Sequence, residues 1–319
     1  MTAAATRPRE LLFVGVGKMG LPMAGHLHAA GHRVSACDPS PQRRALAAAQ
    51  GLRVLESLDV ALAALPRLGA LIFSSLPDDA ALLDVAAAIA AHAPSGACWV
   101  DASTVSPQAS ADAAARVAAR GVDCLRTPVS GNNTMAEKAQ LTVLASGPRA
   151  RYDELEPLLA CWGPTRHYLG AAEEARLAKL AVNLLIVGTS TMLAEALALG
   201  SRGGLEWTQL WQVIETSAAA SPILRAKAPA LRAHDYRPTF TVEQMQKDVA
   251  LIRAAAQSLG LATPLTDVAS AALERAAAAG EGGDDYAVVI RDALRPQYNF
   301  PPTLPPSHLA SRHPTHDHP

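Results

Sequence analysis

Two polar residues stand where the surrounding sequence is almost wholly apolar. Residues 177–200 read LAKLAVNLLIVGTSTMLAEALALG and carry Lys179, Asn183 and Glu195. A helix without a polar face belongs in a core or a membrane, where a polar group costs free energy unless it has a partner or a task. At i and i+4, Lys179 and Asn183 share one helix face and can reach one ligand oxygen. The chemistry that suits them is proton transfer at an alcohol or carbonyl oxygen. An ammonium opposes the charge that develops there and, unlike a guanidinium, can release its proton. The chain has only five lysines, at 18, 138, 179, 227 and 247. A helical lysine is also a common solvated or snorkelling group, so residue type alone leaves both readings open. Glu195 lies 16 residues beyond Lys179, about 24 Å along an unbroken helix and too far to take part. A buried hydrogen bond or a subunit contact is the role expected of it.

The rest of the composition narrows the class. The chain has 319 residues, half of them hydrophobic, which is enough for two domains, and a net charge of −1. That balance gives no electrostatic attraction for nucleic acid or an anionic membrane. Four scattered cysteines form no C-x-x-C pair, and no histidine spacing suggests ligands, so no metal is expected. Fifteen residues separate Lys179 from Glu195, several of them polar, whereas a membrane span wants about 20 apolar ones. The start MTAAATRPRE has no cleavable apolar core, and the cytoplasm is the expected location.

A helix carrying proton chemistry needs a cofactor site beside it, and residues 10–40 have the pattern of one. The apolar run 10–16 leads into Gly15-Val16-Gly17-Lys18-Met19-Gly20 and then a helical segment. In G-x-G-x-x-G at a strand-to-helix turn, Gly15 permits the turn, Gly17 lets the backbone approach a pyrophosphate and Gly20 allows close helix packing. The helix N-terminus faces the phosphates. A second strand, 32–37, ends at Asp38, where a carboxylate can accept hydrogen bonds from the adenosine ribose and repel a 2′-phosphate. NAD is therefore favoured, with Arg43 and Arg44 near enough to keep NADP in play.

Further strands at 70–74, 98–101 and 122–126 end in polar loops, which sit at the carboxyl edge of a parallel sheet where ligands bind. Segments 141–145 and 167–169 read as the last strands. The loops are Ser75-Leu76-Pro77-Asp78-Asp79, Ala102-Ser103-Thr104-Val105-Ser106-Pro107 and Thr127-Pro128-Val129-Ser130-Gly131-Asn132-Asn133. Ser106 and Pro107 read as a helix cap and first helical residue, leaving Ser103 and Thr104 free to face a ligand. The third loop reads equally as an ordinary turn or as amides converging on a carboxylate. The fold class is α/β, a Rossmann-type doubly wound sheet in residues 1–170. An all-α C-terminal domain follows in 171–295, and then a Pro- and His-rich tail, 296–319, with the composition of disorder.

In combination these segments resemble the β-hydroxyacid dehydrogenases, the group that includes 3-hydroxyisobutyrate dehydrogenase, over roughly residues 10–295. VGVGKMGLPMAGHL is similar to the family's dinucleotide signature, and DASTVSP and PVSGNNTMAEKAQLTVLASG to its substrate loops. LAKLAVN is similar to the catalytic-lysine segment, and FTVEQMQKDVALI to the segment whose lysine helps close the site. The resemblance implies NAD(P)-dependent oxidation of a small hydroxy acid, with Lys179 and Asn183 catalytic. It implies cofactor contacts from Gly15, Gly17, Lys18, Met19, Gly20, Asp38, Leu76, Pro77, Thr104 and Lys247. Substrate contacts would come from Ser103, Ser130, Gly131, Asn132, Lys179, Asn183 and Lys247. The chain departs from the family where Gly-Gly is usual and it has Asn132-Asn133, and where Glu173-Glu174-Ala175-Arg176 replaces a glycine-rich lead into the lysine.

The asparagines point weakly to a polyhydroxylated acid, since they add donors and acceptors. Lys247 and Asp248 also read as a surface pair at a helix start. An all-helical domain round so apolar a helix calls for a homodimer or homotetramer. Two alternatives stand beside the dehydrogenase. A same-fold imine reductase would usually replace the lysine, and a non-catalytic dinucleotide-binding scaffold or sensor would need the glycines without Lys179 and Asn183.

Overall fold

The computed structural model describes residues 8–295, and the proline- and histidine-rich tail lies outside them. Nine strands form one sheet: β1 (Glu10–Val14), β2 (Arg33–Cys37), β3 (Arg53–Leu55), β4 (Leu71–Ser74), β5 (Cys98–Asp101), β6 (Asp123–Arg126), β7 (Val129–Ser130), β8 (Thr142–Ser146) and β9 (Thr165–Gly170). Their order is β3-β2-β1-β4-β5-β6-β8-β7, with β9 on the other side of β8. The first six run parallel, and β8 is antiparallel to β6 and β7. The order reverses between β1 and β4, which opens the crevice where doubly wound sheets bind ligands.

Parallel strands covered on both faces should be continuously apolar, and β1 is: Leu11 and Phe13 enter one core cluster, Leu12 and Val14 the other. The covering helices are α1 (Gly20–Ala29), α2 (Pro41–Ala49), α3 (Leu58–Ala63), α4 (Asp79–His92), α5 (Pro107–Ala118), α6 (Asn133–Glu137) and α7 (Arg149–Leu159). Two strands lacked a signal. β3 is a three-residue edge, and β7 is two residues of the loop that read as a turn, paired with β8 through Val129 and Ser130.

The remainder is helical: α8 (Glu174–Arg202), α9 (Trp207–Thr216), α10 (Pro222–Arg232), α11 (Val242–Ser258), α12 (Pro264–Ala278) and α13 (Val289–Leu294). They enclose a separate core containing Leu197, Trp211, Met245 and Ile290. By length and composition α8 is the one described helix able to cross a membrane. Its inner face is packed by α11, α12 and α13. The expectation of a helix buried all round is corrected here. Leu185, Met192 and Leu199 recur at seven-residue spacing and are 68%, 62% and 78% exposed. Glu195 lies on the exposed side with them, so the buried hydrogen bond foreseen for it does not exist.

Candidate active site

At the β1–β4 crevice the three glycines differ in their reasons. Gly15 has φ +83°, and a Cβ there would lie 2.4 Å from the Ser75 carbonyl oxygen. A Cβ on Gly20 would lie 2.0 Å from the Gly15 carbonyl oxygen, whereas one on Gly17 would meet nothing within 4 Å. The first and third close the turn, and the second faces open space that a pyrophosphate can fill. Lys18 is exposed in the turn and Met19 immediately precedes α1. Asp38 is buried at the end of β2. Its Oδ2 accepts the Val16 N–H at 2.9 Å and its Oδ1 the Ser40 N–H at 2.8 Å, so the carboxylate is fixed beside the glycine turn. Arg44 donates through Nη1 to the carbonyls of Asp38 (2.9 Å) and Pro39 (3.0 Å), which holds a guanidinium beside the same corner. Open space at Gly17 and an anchored acceptor at Asp38 fit a dinucleotide.

The loop after β5 is organised by a group that sequence reasoning did not place. Arg176, on the first turn of α8, is 2% exposed. Its Nη2 pairs with Asp101 Oδ2 at 2.6 Å, its Nη1 donates to the Ser103 carbonyl at 2.6 Å and its Nε to Ser110 Oγ at 3.1 Å. Asp101, fully buried, also accepts from the hydroxyls of Ser74 and Ser103 and from the Ser103 N–H. Ser103 Oγ in turn accepts the Leu76 N–H at 2.8 Å. The expectation that Ser103 faces a ligand freely is therefore corrected. Its hydroxyl proton goes to Asp101 at 2.7 Å, which leaves no side-chain donor for a carboxylate. Ser103 instead joins the ends of β4 and β5. Ser106 caps α5 by accepting the Ala109 N–H, with Pro107 at the first helical position.

Across the cleft, α11 meets both sheet loops. Lys247 Nζ donates to the carbonyls of Thr104 (2.8 Å) and Pro77 (3.2 Å) and lies 3.3 Å from Asp248 Oδ1. The surface-pair reading is thereby overturned, because Asp248 is 2% exposed. Lys247 clasps α11 to the loops after β4 and β5, and its ammonium is committed to that clasp. Asp248 Oδ2 accepts from Asn183 Nδ2 at 2.6 Å, while Oδ1, ion-paired but not aligned for a hydrogen bond, has no hydrogen-bond partner. Asn183 thus points one donor at a carboxylate that the sequence gave no reason to bury.

Lys179 sits one turn past Arg176, is 8% exposed and makes no hydrogen bond among the described residues. Burial pushes its pKa below the ordinary lysine value. Asp248 opposes that shift and the Lys247 charge adds to it. Burial likewise raises the Asp248 carboxyl, against the pull of Lys247 and Lys179. An uncommitted, desolvated ammonium beside a carboxylate is equipped for proton transfer.

The third loop presents Ser130 at the end of β7, then Gly131 at φ +142°, where a Cβ would press on Leu141. Asn132 Oδ1 caps α6 by accepting the Met135 N–H at 3.0 Å, and Asn133 Nδ2 turns to Glu137. The structure therefore leaves Asn132 Nδ2, and not Asn133 Nδ2, without a hydrogen bond among the described residues.

A family model for the NAD binding domain of 6-phosphogluconate dehydrogenase matches residues 10–170. One for the NAD-binding domain of NADP-dependent 3-hydroxyisobutyrate dehydrogenase matches residues 174–292. The chain is 31% identical to an L-threonate dehydrogenase of Cupriavidus necator, covering 89% of this chain and 95% of that protein. It is 29% identical to a 2-(hydroxymethyl)glutarate dehydrogenase of Eubacterium barkeri, covering 88% and 93%. Among solved structures, the 3-hydroxyisobutyrate dehydrogenase of Mycobacterium tuberculosis with L-serine superposes with a TM-score of 0.81. The identity is 26%, over 89% of this chain and 98% of that one.

Proposed function

The chain belongs to the β-hydroxyacid dehydrogenases, NAD(P)-dependent oxidoreductases of small hydroxy acids, and on that premise we propose that Lys179 is its proton donor and acceptor. The observation that carries this is the state of Lys179: nearly buried, lowered in pKa by burial, and free of hydrogen bonds while every polar neighbour named above has one. NAD(P), bound along Gly15–Gly20 and Asp38, supplies the hydride acceptor for oxidation or the donor for reduction. The chain divides near residue 170, and the alcohol lies between the sheet loops and α8.

In oxidation, neutral Lys179 takes the hydroxyl proton as the C–H bond gives up its hydride, and an alcohol becomes a carbonyl. In reduction, the ammonium returns that proton to the carbonyl oxygen. Asn183 and Asp248 orient the lysine's side of the cleft, with Asp248 holding the local charge near balance. Ser130 and Gly131 bind the substrate carboxylate, and Lys247 keeps α11 closed over the cofactor loops. NAD is the preferred cofactor, since the carboxylate of Asp38 disfavours a 2′-phosphate. The exposed Leu185–Met192–Leu199 stripe pairs with a second copy in a homodimer or homotetramer located in the cytoplasm. Lys179 also argues against a non-catalytic scaffold, which would have no use for a desolvated lysine.

Lys179→Ala is expected to lower kcat by about 10²–10⁴-fold in either direction. Nicotinamide-fluorescence titration should show NADH binding within about twofold of the parent, because none of the Gly15–Gly20 contacts is touched. Turnover at the parental rate would refute the assignment.

A further inference from the structure

Three strands hold the start of α8. Arg176 reaches Asp101 at the end of β5 and the Ser103 carbonyl beyond it. Ser146, at the end of β8, ties down the linker that precedes the helix: its Oγ donates to the Ala172 carbonyl at 2.7 Å and accepts the Ala175 N–H at 3.2 Å. The third contact is an ion pair between Arg126, the last residue of β6, and Glu173, the residue before α8 begins. It bridges to the strand that feeds the substrate loop, since Ser130 follows Arg126 by four residues. No step described above uses it.

The pair is buried, with side chains 9% and 15% exposed. Arg126 Nη2 donates to Glu173 Oε1, and its Nη1 donates to the Cys124 carbonyl at 3.4 Å. Arg126 Nε and Glu173 Oε2 are buried too and make no hydrogen bond among the described residues. Arg176 commits three nitrogens to three acceptors, whereas this pair leaves a donor and an acceptor desolvated, which costs stability. A buried pair of that kind is better suited to fixing a register than to holding a fold together. The elements it joins carry the two ends of the substrate site. β7, with Ser130 at its end, packs against α8, and Lys179 lies six residues past Glu173, about 9 Å along the helix. A glycine in the place of Glu173, where the family's lead into the lysine is glycine-rich, supplies no carboxylate for this bridge.

Resting on the dehydrogenase reading and on Ser130 and Gly131 as the carboxylate seat, we propose that Arg126 and Glu173 are positioning residues. Their ion pair sets the gap between that seat and Lys179, and with it how many carbons can separate the substrate's carboxylate from its reacting hydroxyl. Neither side chain touches the substrate. Without the pair the carboxylate still binds, but the hydroxyl no longer meets Lys179 and the nicotinamide in one alignment.

The test uses the full chain, with NAD and with NADP, on 2- and 3-hydroxypropanoate and on 2-, 3- and 4-hydroxybutanoate, isomers that differ only in where the hydroxyl stands. The parent is expected to favour the 3-hydroxy acid of each series. In Glu173→Ala, kcat on that acid should fall about tenfold or more, because a misplacement of about 1 Å has effects on that scale, and the preference over its isomers should narrow several-fold. KM and NADH binding, the latter by nicotinamide fluorescence, should stay within about threefold of the parent, since neither Ser130 and Gly131 nor the glycine turn is altered. The deuterium isotope effect on kcat, with the carbinol hydrogen replaced, should rise as hydride transfer becomes the slow step. A loss of folded enzyme alone lowers every rate alike and moves neither the isomer ratio nor the isotope effect. Glu173→Gln, which keeps Oε1 as an acceptor for Arg126, should restore most of the preference. If Glu173→Ala does not fold, Arg126→Met/Glu173→Met strands neither charge and carries the same expectation. A parent without preference among isomers, or a variant lacking the pair with the parental isomer ratio and isotope effect, overturns the positioning role and leaves the dehydrogenase intact. Oxidation of none of the acids by the parent, with either cofactor, overturns both.

Discussion

Removing the Arg176 guanidinium tests whether the buried pair beneath the substrate loop holds the two halves of the site in register. Both partners are sealed, with side chains 1% and 0% exposed. Arg176→Met deletes three bonds, to Asp101, the Ser103 carbonyl and Ser110, and leaves the Asp101 carboxyl buried without its cationic partner. Breaking such a pair from one side costs about 3–5 kcal/mol. Asp101 keeps three donors, the hydroxyls of Ser74 and Ser103 and the Ser103 N–H, so the lower end, about 3 kcal/mol, applies. At about 2–4 °C per kcal/mol for a chain of this order, Tm falls by roughly 6–12 °C. Calorimetry on Arg176→Met, Asp101→Asn and the double variant supplies the cycle. The double variant, with neither charge stranded, should be destabilised less than the sum of the singles by at least about 2 kcal/mol. Because Lys179 is one turn from Arg176, kcat should drop as well, and misplacement by about 1 Å is enough for a 10²-fold loss. A cost below about 1 kcal/mol, or additive singles, would refute the argument.

Other outcomes follow from the same geometry. Oxidation requires neutral Lys179, so its rate should rise with pH through a pKa below the free-lysine value. Asp248 raises that pKa, and Asp248→Asn should therefore move the rising limb to lower pH; a limb that moves upward contradicts the charge arrangement. Asp38→Ala should raise KM for NAD and narrow the preference over NADP, since Arg44 stays beside the corner; an unchanged cofactor ratio would remove Asp38 from the ribose role. Gly17→Val adds a side chain where the structure has open space, so folding should survive while cofactor affinity falls by an order of magnitude or more; retained affinity would show that the space is not the pyrophosphate site. Met192→Glu on the exposed face of α8 should yield monomers by sedimentation, and an unaltered assembly would place the interface elsewhere.

What the sequence disclosed were features written in neighbouring residues. The runs ending at Val14, Ser74 and Asp101 are strands because each is largely apolar and bounded by turn chemistry, whereas Asp123–Arg126 carries a charge at each end. The glycine turn was equally local, since its reasons lie within six residues and one adjacent strand. The polar core of the site was not local. Arg176 finds Asp101 across 75 residues and Asn183 finds Asp248 across 65, so no window of sequence contains either pair. Arg176 registered only as a departure from a glycine-rich pattern, and Asp248 as half of a surface pair. The same distance effect misled the reading of Ser103. Its hydroxyl looked available because its two partners, Asp101 and the Leu76 amide, lie at the end of one strand run and in the loop after another. In a buried site, whether a polar group is free depends on every neighbour's donors and acceptors, and those neighbours come from four or five elements. Lys179 illustrates the converse. Its position on an apolar helix marked it as unusual, but its chemical freedom follows only from the commitments around it: Asn183 to Asp248, Lys247 to the loop carbonyls and Arg176 to Asp101. The site is therefore two sets of polar contacts, Arg176 with Asp101 and Ser103 and Asn183 with Asp248 and Lys247, beside a Lys179 that makes no hydrogen bond among the described residues.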